Sequence, residues 1–565
     1  MGSTYTRRDR NGVSLQRQII VGGRRGSTSR RSRRTGPLIL GARCGRPDCT
    51  VRCTGLLRNH HEYTAVVCFF RSAGRMPEDT AKTIRAALAE ALVYYYPVAG
   101  RLRELPGGKL AVDCTAEGVV FVSAEADVEL QELKPLVLPF PRDGELVCNN
   151  VGDVGVVLGK PLFFMQARIH TYNNKINIRP LLGGLQLQLL LRLLPEPYQT
   201  ASLKTAPRAE HPGSWSRFYT RGRSRKIVAP LAPPRSRSHV GNNAPDSKNA
   251  AVTRFKCGGF ALGLHIMHCI ADASGWSQFM KAVADLARGE PAPLVLPVWQ
   301  RDLLTARNPP SIAAAYEAFK PLVEGSGVVD VLQSTPAETM ACRCFLFDRR
   351  GDIAALRSHL PAGLRRRCTD FDVLAAAAWL CRTAALGYEP RQKVYLYFPS
   401  SAHGGGRRGG LLGAPKGYYG NALLYGIVGV AAGELCAGGL RRAAEIVCEV
   451  KGGITPEYAR STVDLVASLG GRPLVFDGVF VVSDVTEFVG DGLNFGWGEW
   501  AGGGVVGPKL ASFHTRCKDG DGEESVVVSM VLPDVVMERF QDELAAWLSG
   551  DGQKQNRRRL PRSAL

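Results

Sequence analysis

Between residues 65 and 548, runs rich in β-branched and aromatic residues alternate with amphipathic helical stretches, and that alternation restricts the chain to layered α/β architectures. "TAVVCFF" predicts a strand, and "PEDTAKTIRAALAEALVYYYPVAGRL" predicts a helix that starts after Pro77 and ends before Pro97. "KLAVDCTAEGVVFVSAEAD" reads as a hairpin turning at Glu117 and Gly118, with further strands at "PLFFMQ" and "AVTRFKCGGFALGLHIMH". After the helix "SGWSQFMKAVADLARG" comes a proline-rich extended connection with a short helical piece. The alternation resumes with strands at "ACRCFLFD", "KVYLYFP", "ALLYGIVGVA", "GVFVVSDV" and "EESVVVSMVLP". Helices are expected at "RGDIAALRSHLP", "DFDVLAAAAWLCRTAAL", "AGGLRRAAEIVCEV", "PEYARSTVDLVASL" and "MERFQDELAAWL". A chain of 565 residues, 45% apolar, exceeds one small core, so two α/β domains are expected with a boundary within 300–345.

The formal charge of +21 raises the question of a nucleic-acid partner, but it is unevenly placed. Residues 1–60 hold 14 Arg against 2 acidic residues, and residues 167–250 hold 14 Lys and Arg against 3, so the rest of the chain is close to neutral. Both segments are rich in Arg, Ser, Pro and Gly and carry no helix or strand period. Neither carries aromatic interleaving, a zinc-finger spacing or a recognition helix, so no specific nucleic acid is expected. A flexible basic chain attracts phosphate regardless, so a basic nucleic-acid-binding protein stands as an alternative. No stretch reaches the roughly 20 apolar residues that a membrane span requires, and no membrane partner is expected. The 15 Cys are scattered apart from Cys44, Cys49 and Cys53, which lack a second ligand pair, and they fit the reduced thiols of a cytoplasmic protein.

One stretch carries chemistry. In "GGFALGLHIMHCIADASGW" an apolar strand ends at His268, and Asp272 follows at the entry to a helix among small residues. A core histidine is one reading of His268. Metal ligation by His265, His268 and Asp272 is a second, opposed by strand alternation, which would aim the two histidines to opposite sides, and by the lack of a His-Glu-x-x-His arrangement. The third reading makes His268 a general base, since neutral imidazole can take a proton from an attacking hydroxyl or amine. No Gly-x-Ser-x-Gly elbow or nucleophilic Cys precedes it, so a one-step transfer without a covalent intermediate fits better than a triad. Asp272 suits a structural role, because its offset from His268 crosses a strand end and a turn.

"HCIAD" at 268–272 and "NFGWG" at 494–498 resemble the His-x-x-x-Asp and Asp-Phe-Gly-Trp-Gly signatures of the plant BAHD acyl-CoA-dependent acyltransferases. "ALVYYYPVAGRLRE", "LPVWQRDLLTARNPP" and "GYYGNALLY" are most similar to the subgroup of benzyl alcohol O-benzoyltransferases and alcohol acyltransferases, and the resemblance spans 65–166 and 251–548. It implies two chloramphenicol-acetyltransferase-like α/β domains with mixed sheets and an interdomain channel that acyl-CoA and a small alcohol enter from opposite faces. His268 would deprotonate the acceptor hydroxyl, while Asp272 and Gly275 shape the site. Asn494, Phe495, Gly496, Trp497 and Gly498 would be structural, and Arg407, Arg408, Tyr419 and Asn421 would lie near CoA. Acyl-CoA is then a co-substrate, with no bound cofactor and no metal, and the protein is expected to be a monomer. An N-acyltransferase acting on an amine and an inactive family-like protein are the alternatives.

The chain departs from the family pattern at three places. Asn494 replaces the usual Asp, removing a charge for an arginine ion pair. Ser401, Ala402 and His403 stand where an Asn-Ala-Arg segment is usual, which leaves Arg407 or Arg408 to hold CoA phosphate. Residues 167–250 interrupt what is otherwise one strand segment between Gln166 and Val252, and their composition fits retained non-coding sequence better than an evolved domain. The same suspicion falls on the N-terminus, where a family-like opening strand is not found. The expected organisation is a basic, disordered segment over 1–64, an N-terminal acyltransferase domain over 65–305 interrupted by 167–250, a crossover linker over 306–344, a C-terminal domain over 345–548 and a basic tail over 549–565.

Overall fold

A computed structural model of the chain describes residues 4–8, 14–20, 50–52, 63–73, 80–105, 109–125, 158–168, 252–254, 259–325, 339–403, 411–470, 472, 474–476, 478–487, 492–506, 511–518 and 523–552, together with single positions 130, 136, 146, 147, 332, 335 and 336. In chain order the first half contains β1 (Thr4–Arg8), β2 (Ser14–Ile20), β3 (Thr50–Arg52), β4 (Tyr63–Ser72), α1 (Thr80–Tyr94), β5 (Arg101–Leu105), β6 (Lys109–Asp113), β7 (Val119–Glu125), β8 (Phe163–Arg168), β9 (Val252–Arg254), β10 (Phe260–Met267) and α2 (Ala273–Ala287). The second half contains α3 (Ala313–Val323), β11 (Met340–Asp348), α4 (Asp370–Leu386), β12 (Lys393–Ser401), β13 (Leu423–Ala431), α5 (Ala432–Gly452), α6 (Pro456–Ser468), β14 (Val479–Asp484), β15 (Gly498–Val505), β16 (Ser512–Lys518), β17 (Glu524–Pro533) and α7 (Asp534–Ser549).

The strands form two large mixed sheets and a small one. The first runs β1-β2-β7-β8-β10-β4-β15, with β9 beside β7 and β10; the second runs β11-β17-β16-β14-β12-β13; the third is β3-β6-β5. Each large sheet has its own core. On the first, Phe163 stacks on Trp276 of α2 at 5.4 Å and Tyr95 meets Phe279 edge-on at 5.1 Å. On the second, α4 lies buried along nearly its whole length around Trp379, which is fully enclosed. Thr369 starts α4 with a reciprocal capping box to Asp372, and Gly387 ends it in the left-handed conformation. The interrupted alternation therefore yields two α/β lobes.

Several expectations change on contact with the structure. "KLAVDCTAEGVVFVSAEAD" is not a hairpin: β6 pairs with β5 and β3, whereas β7 pairs with β2, β8 and β9. Ala116 and Gly118, both at positive φ, turn the chain from one sheet into the other. The N-terminal segment, expected to lack structure, contributes β2, which pairs antiparallel with β7 from Gln16 opposite Ser123 to Ile20 opposite Val119. The supposed linker contains α3, obscured in the sequence by Pro321 within it. Residues 345–548 do not stay in one lobe, because β15 crosses to the first sheet and pairs with β4. Gly503 makes that crossing possible, since a Cβ there would meet the Val67 carbonyl oxygen at 2.2 Å.

The register around the basic insertion is unbroken. On β7, Val122 lies opposite Gln166 and the next residue, Ser123, lies opposite Val252. On β10, Gly263 faces Gln166, Leu262 faces Ala167 and Ala261 faces Thr253. β8 and β9 are therefore two halves of one strand line, and Ala167 and Val252 occupy the same step of it. The inserted residues from 169 to 251 lie outside the described residues, as does most of the 1–64 segment.

Candidate active site

β10 is buried at every position, and it ends one residue before His268. The chain then turns, with the Ile270 N–H donating to the Met267 carbonyl, and enters α2 at Asp272, its N-cap. This is a local consequence of sequence: an apolar β run can go no further once small residues and an N-capping carboxylate follow it. His268 is half-buried at that turn. Burial lowers its pKa below the usual histidine value, opposed in part by Asp272 and Asn421, so the ring is neutral at physiological pH.

Both carboxylate oxygens of Asp272 are engaged by other donors. Its Oδ1 accepts from the Gly275 N–H at 3.0 Å, and its Oδ2 accepts from the Ala422 N–H at 2.9 Å and from His403 Nε2 at 2.8 Å. Burial would raise its pKa, but the His403 contact and the two amide donors outweigh it and hold the carboxyl below the usual range. His403 is the mirror case, lowered by burial but raised on balance by Asp272. The position where an arginine was expected to hold phosphate thus carries the partner of Asp272.

Two further groups pin the loop by its carbonyls. Asn421 donates Nδ2–H to the His268 carbonyl at 2.8 Å, and Arg301 donates to the Ile270 carbonyl at 2.6 Å while its guanidinium lies 3.6 Å over Trp299. At Gly275 α2 closely approaches the second half of the chain: a Cβ there would meet the Tyr419 carbonyl oxygen at 2.1 Å. Tyr419 is buried against Tyr95 and Trp299, each at 4.8 Å. Tyr419 and Asn421 therefore back the histidine loop. Arg407 and Arg408 lie outside the described residues. Sequence reasoning missed His403 and Arg301 as partners of this loop, although both sit in stretches it singled out.

The second motif lies elsewhere. Phe495 is fully buried and meets Phe70 and Phe260 edge-on at 5.4 and 5.6 Å, and a Cβ on Gly498 would meet the Phe260 ring at 2.4 Å. Phe260 opens β10 and His268 follows its end, so the strand separates them by roughly 25 Å. Asn494 accepts the Gly496 N–H on its side chain at 2.8 Å and the Arg288 guanidinium on its carbonyl. Gly496, at φ 82°, makes the turn, and Trp497 is buried in the first-lobe core.

Among the described residues, two cavities share Glu487 in their linings. One of about 340 Å³ is lined by Ser274, Ser277, Gln278 and Lys281 of α2 together with Glu487 of the second half. The other, about 390 Å³, is lined by Ser400, Ser401, Arg349, Lys451 and Arg516 and again by Glu487. His268 lines neither, so neither by itself marks the reacting atoms.

The sequence model of the Transferase family matches residues 57–167 and 244–546 and passes over the segment between them. The chain belongs to this family, the BAHD acyltransferases. Acyl transferase 1 of Oryza sativa subsp. japonica is 39% identical, covering 93% of this chain and 97% of that protein. Spermidine hydroxycinnamoyltransferase 1 of the same species is 35% identical over 81% of this chain and 86% of its own length. Benzyl alcohol O-benzoyltransferase of Petunia hybrida is 33% identical over 87% and 88%. Among solved structures, vinorine synthase matches with a TM-score of 0.51 at 15% identity, covering 97% of this chain and 98% of that one. F. graminearum TRI101 complexed with coenzyme A and deoxynivalenol matches with a TM-score of 0.53 at 12% identity over 87% and 96%. These likenesses show that the BAHD chain shares their fold, as its motifs implied.

Proposed function

We propose that this BAHD protein transfers an acyl group, benzoyl or a short to medium chain, from acyl-CoA to an alcohol, with His268 as general base. The observation that carries the reading is the loop itself. A neutral imidazole stands at a strand end, fixed through backbone carbonyls by Asn421 and Arg301, while Asp272 faces away into three donors. In that arrangement Nε2 takes the proton from the acceptor hydroxyl as the oxygen attacks the thioester carbonyl. The tetrahedral oxyanion collapses, the carbon–sulfur bond breaks, and the departing CoA sulfur takes the proton back from the imidazolium. Arg349, Lys451 and Arg516 line the larger cavity and pair with Asp370, Asp372 and Glu524.

The alcohol acceptor rests on the similarity to the Petunia benzoyltransferase, and the similarity to the spermidine transferase favours an amine as the second reading. Incubation with benzoyl-CoA and either benzyl alcohol or spermidine, followed by mass spectrometry, separates them. An ester with stoichiometric free CoA supports the proposal. Exclusive amide formation selects the second reading, and absence of CoA release across a panel of acyl-CoAs and acceptors selects an inactive protein.

A further inference from the structure

Cys368 and Cys448 are separated by 80 residues in sequence, yet their Sγ atoms lie 2.9 Å apart. Cys368 is buried, closes the short helix Ala362–Arg367 and immediately precedes Thr369, the N-cap of α4. Cys448 is half-buried on α5. The same junction is bridged by Lys451, whose Nζ bonds Asp372 at 2.9 Å and Thr369 at 3.4 Å. Thr369 and Lys451 both line the larger cavity. A disulfide needs its sulfurs about 2.05 Å apart, so a closure of less than about 1 Å would complete the bond.

We propose that Cys368 and Cys448 are a modification site, a reversible disulfide that staples the start of α4 to α5 when the protein meets a low-molecular-weight disulfide such as glutathione disulfide. The Cys448 thiolate attacks one sulfur of glutathione disulfide, the S–S bond breaks, and one glutathione leaves as a thiolate that takes a proton from water. The Cys368 thiolate then attacks the Cys448 sulfur of the mixed disulfide and displaces the second glutathione. Two protein thiols lose two hydrogens and one glutathione disulfide gains them, so the exchange balances without another oxidant. Burial, ahead of the bond to Cys368, pushes the Cys448 thiol up to about 12, so the thiolate is scarce at neutral pH. The pair consequently closes slowly and answers to sustained rather than brief oxidising conditions.

The full-length protein is reduced, freed of reductant, incubated with glutathione disulfide at mildly alkaline pH, alkylated and mapped by mass spectrometry. The expected result is a linked Cys368–Cys448 peptide, an intact mass lower by about 2 Da, and full reversal by dithiothreitol. Closing a loop of this length should raise Tm by roughly 4 °C. Cys368→Ser and Cys448→Ser should each abolish both the link and the Tm rise while leaving basal acyl transfer unchanged. Full alkylation of both thiols, a glutathione adduct without the link, or a Tm rise that persists in the serine variants would overturn the proposal.

Discussion

Deleting residues 167–251 and joining Gln166 directly to Val252 should stabilise the protein without disturbing its first sheet. The junction is set by register. Val122 and Ser123 are consecutive on β7 and already face Gln166 and Val252, so the joined strand continues the ladder with no slip. Closing a connection of about 85 residues as a simple loop costs roughly (3/2)RT ln n, about 4 kcal/mol here. For the remaining chain of roughly 480 residues, unfolding entropy near 1 kcal/mol per degree turns that into a Tm rise of about 4 °C. The control is a deletion of 167–250, which retains Ala251 and places one extra residue inside the strand. An odd offset turns following side chains to the other face of the sheet. Relieving it by a bulge forfeits about two ladder hydrogen bonds, roughly 1–3 kcal/mol. The assay is thermal unfolding of the two deletions and the full chain, with acyl transfer measured on each. A lower Tm for the register-matched junction, or equal behaviour of the two deletions, would refute the reasoning and make the inserted segment part of the packed structure.

The pH dependence should be bell-shaped. Activity should rise as pH climbs through the folded pKa of His268, which lies below its ordinary 6.5, because the base must be neutral. It should fall again above 6.5, because the His403 pKa is raised, so its charged pairing with Asp272 is complete below the unfolded value and lost as pH passes the folded one. His403→Arg keeps a charge at all these pH values and should remove the alkaline decline, which kcat/KM against pH would read directly. Gly275→Ala should lower kcat by at least about tenfold and cost roughly 1–3 kcal/mol, because the added methyl cannot fit 2.1 Å from the Tyr419 carbonyl oxygen; activity and Tm close to the parent's would contradict that. Phe495→Ala should cost about 3–5 kcal/mol in chemical denaturation, yet leave kcat of the folded fraction nearly unchanged, since the ring packs on Phe70 and Phe260 far from His268.

The histidine loop could be read from the sequence because every signal that makes it is local: an apolar run for β10, an N-capping aspartate, and small residues before an amphipathic helix. The helix α4 was legible for the same reason, its cap Thr369 and its left-handed Gly387 standing directly beside the stretch they terminate. What failed depended on distant partners. "GEWAGGGV" has four glycines and a single β-branched residue, and pairing with β4 makes it a strand. "KLAVD" and "VVFVSAE" alternate as a hairpin should, but long-range partners draw them into different sheets. His403 carries no local sign of its contact with Asp272, 131 residues earlier. The unbroken strand line through the insertion was anticipated from family resemblance, and the register supplies its physical content.

The most direct test of the account is the rate of CoA release from benzoyl-CoA in the presence of benzyl alcohol, measured chromatographically for the parent and for His268→Ala. The account predicts that the variant keeps the parent's Tm, because Asp272, Asn421 and Arg301 hold the loop through the His268 and Ile270 backbone and through α2 rather than through the imidazole. It also predicts that kcat falls by about 10²–10⁴, the usual worth of a positioned general base. A variant that releases CoA and forms product within a few-fold of the parent's rate would contradict it.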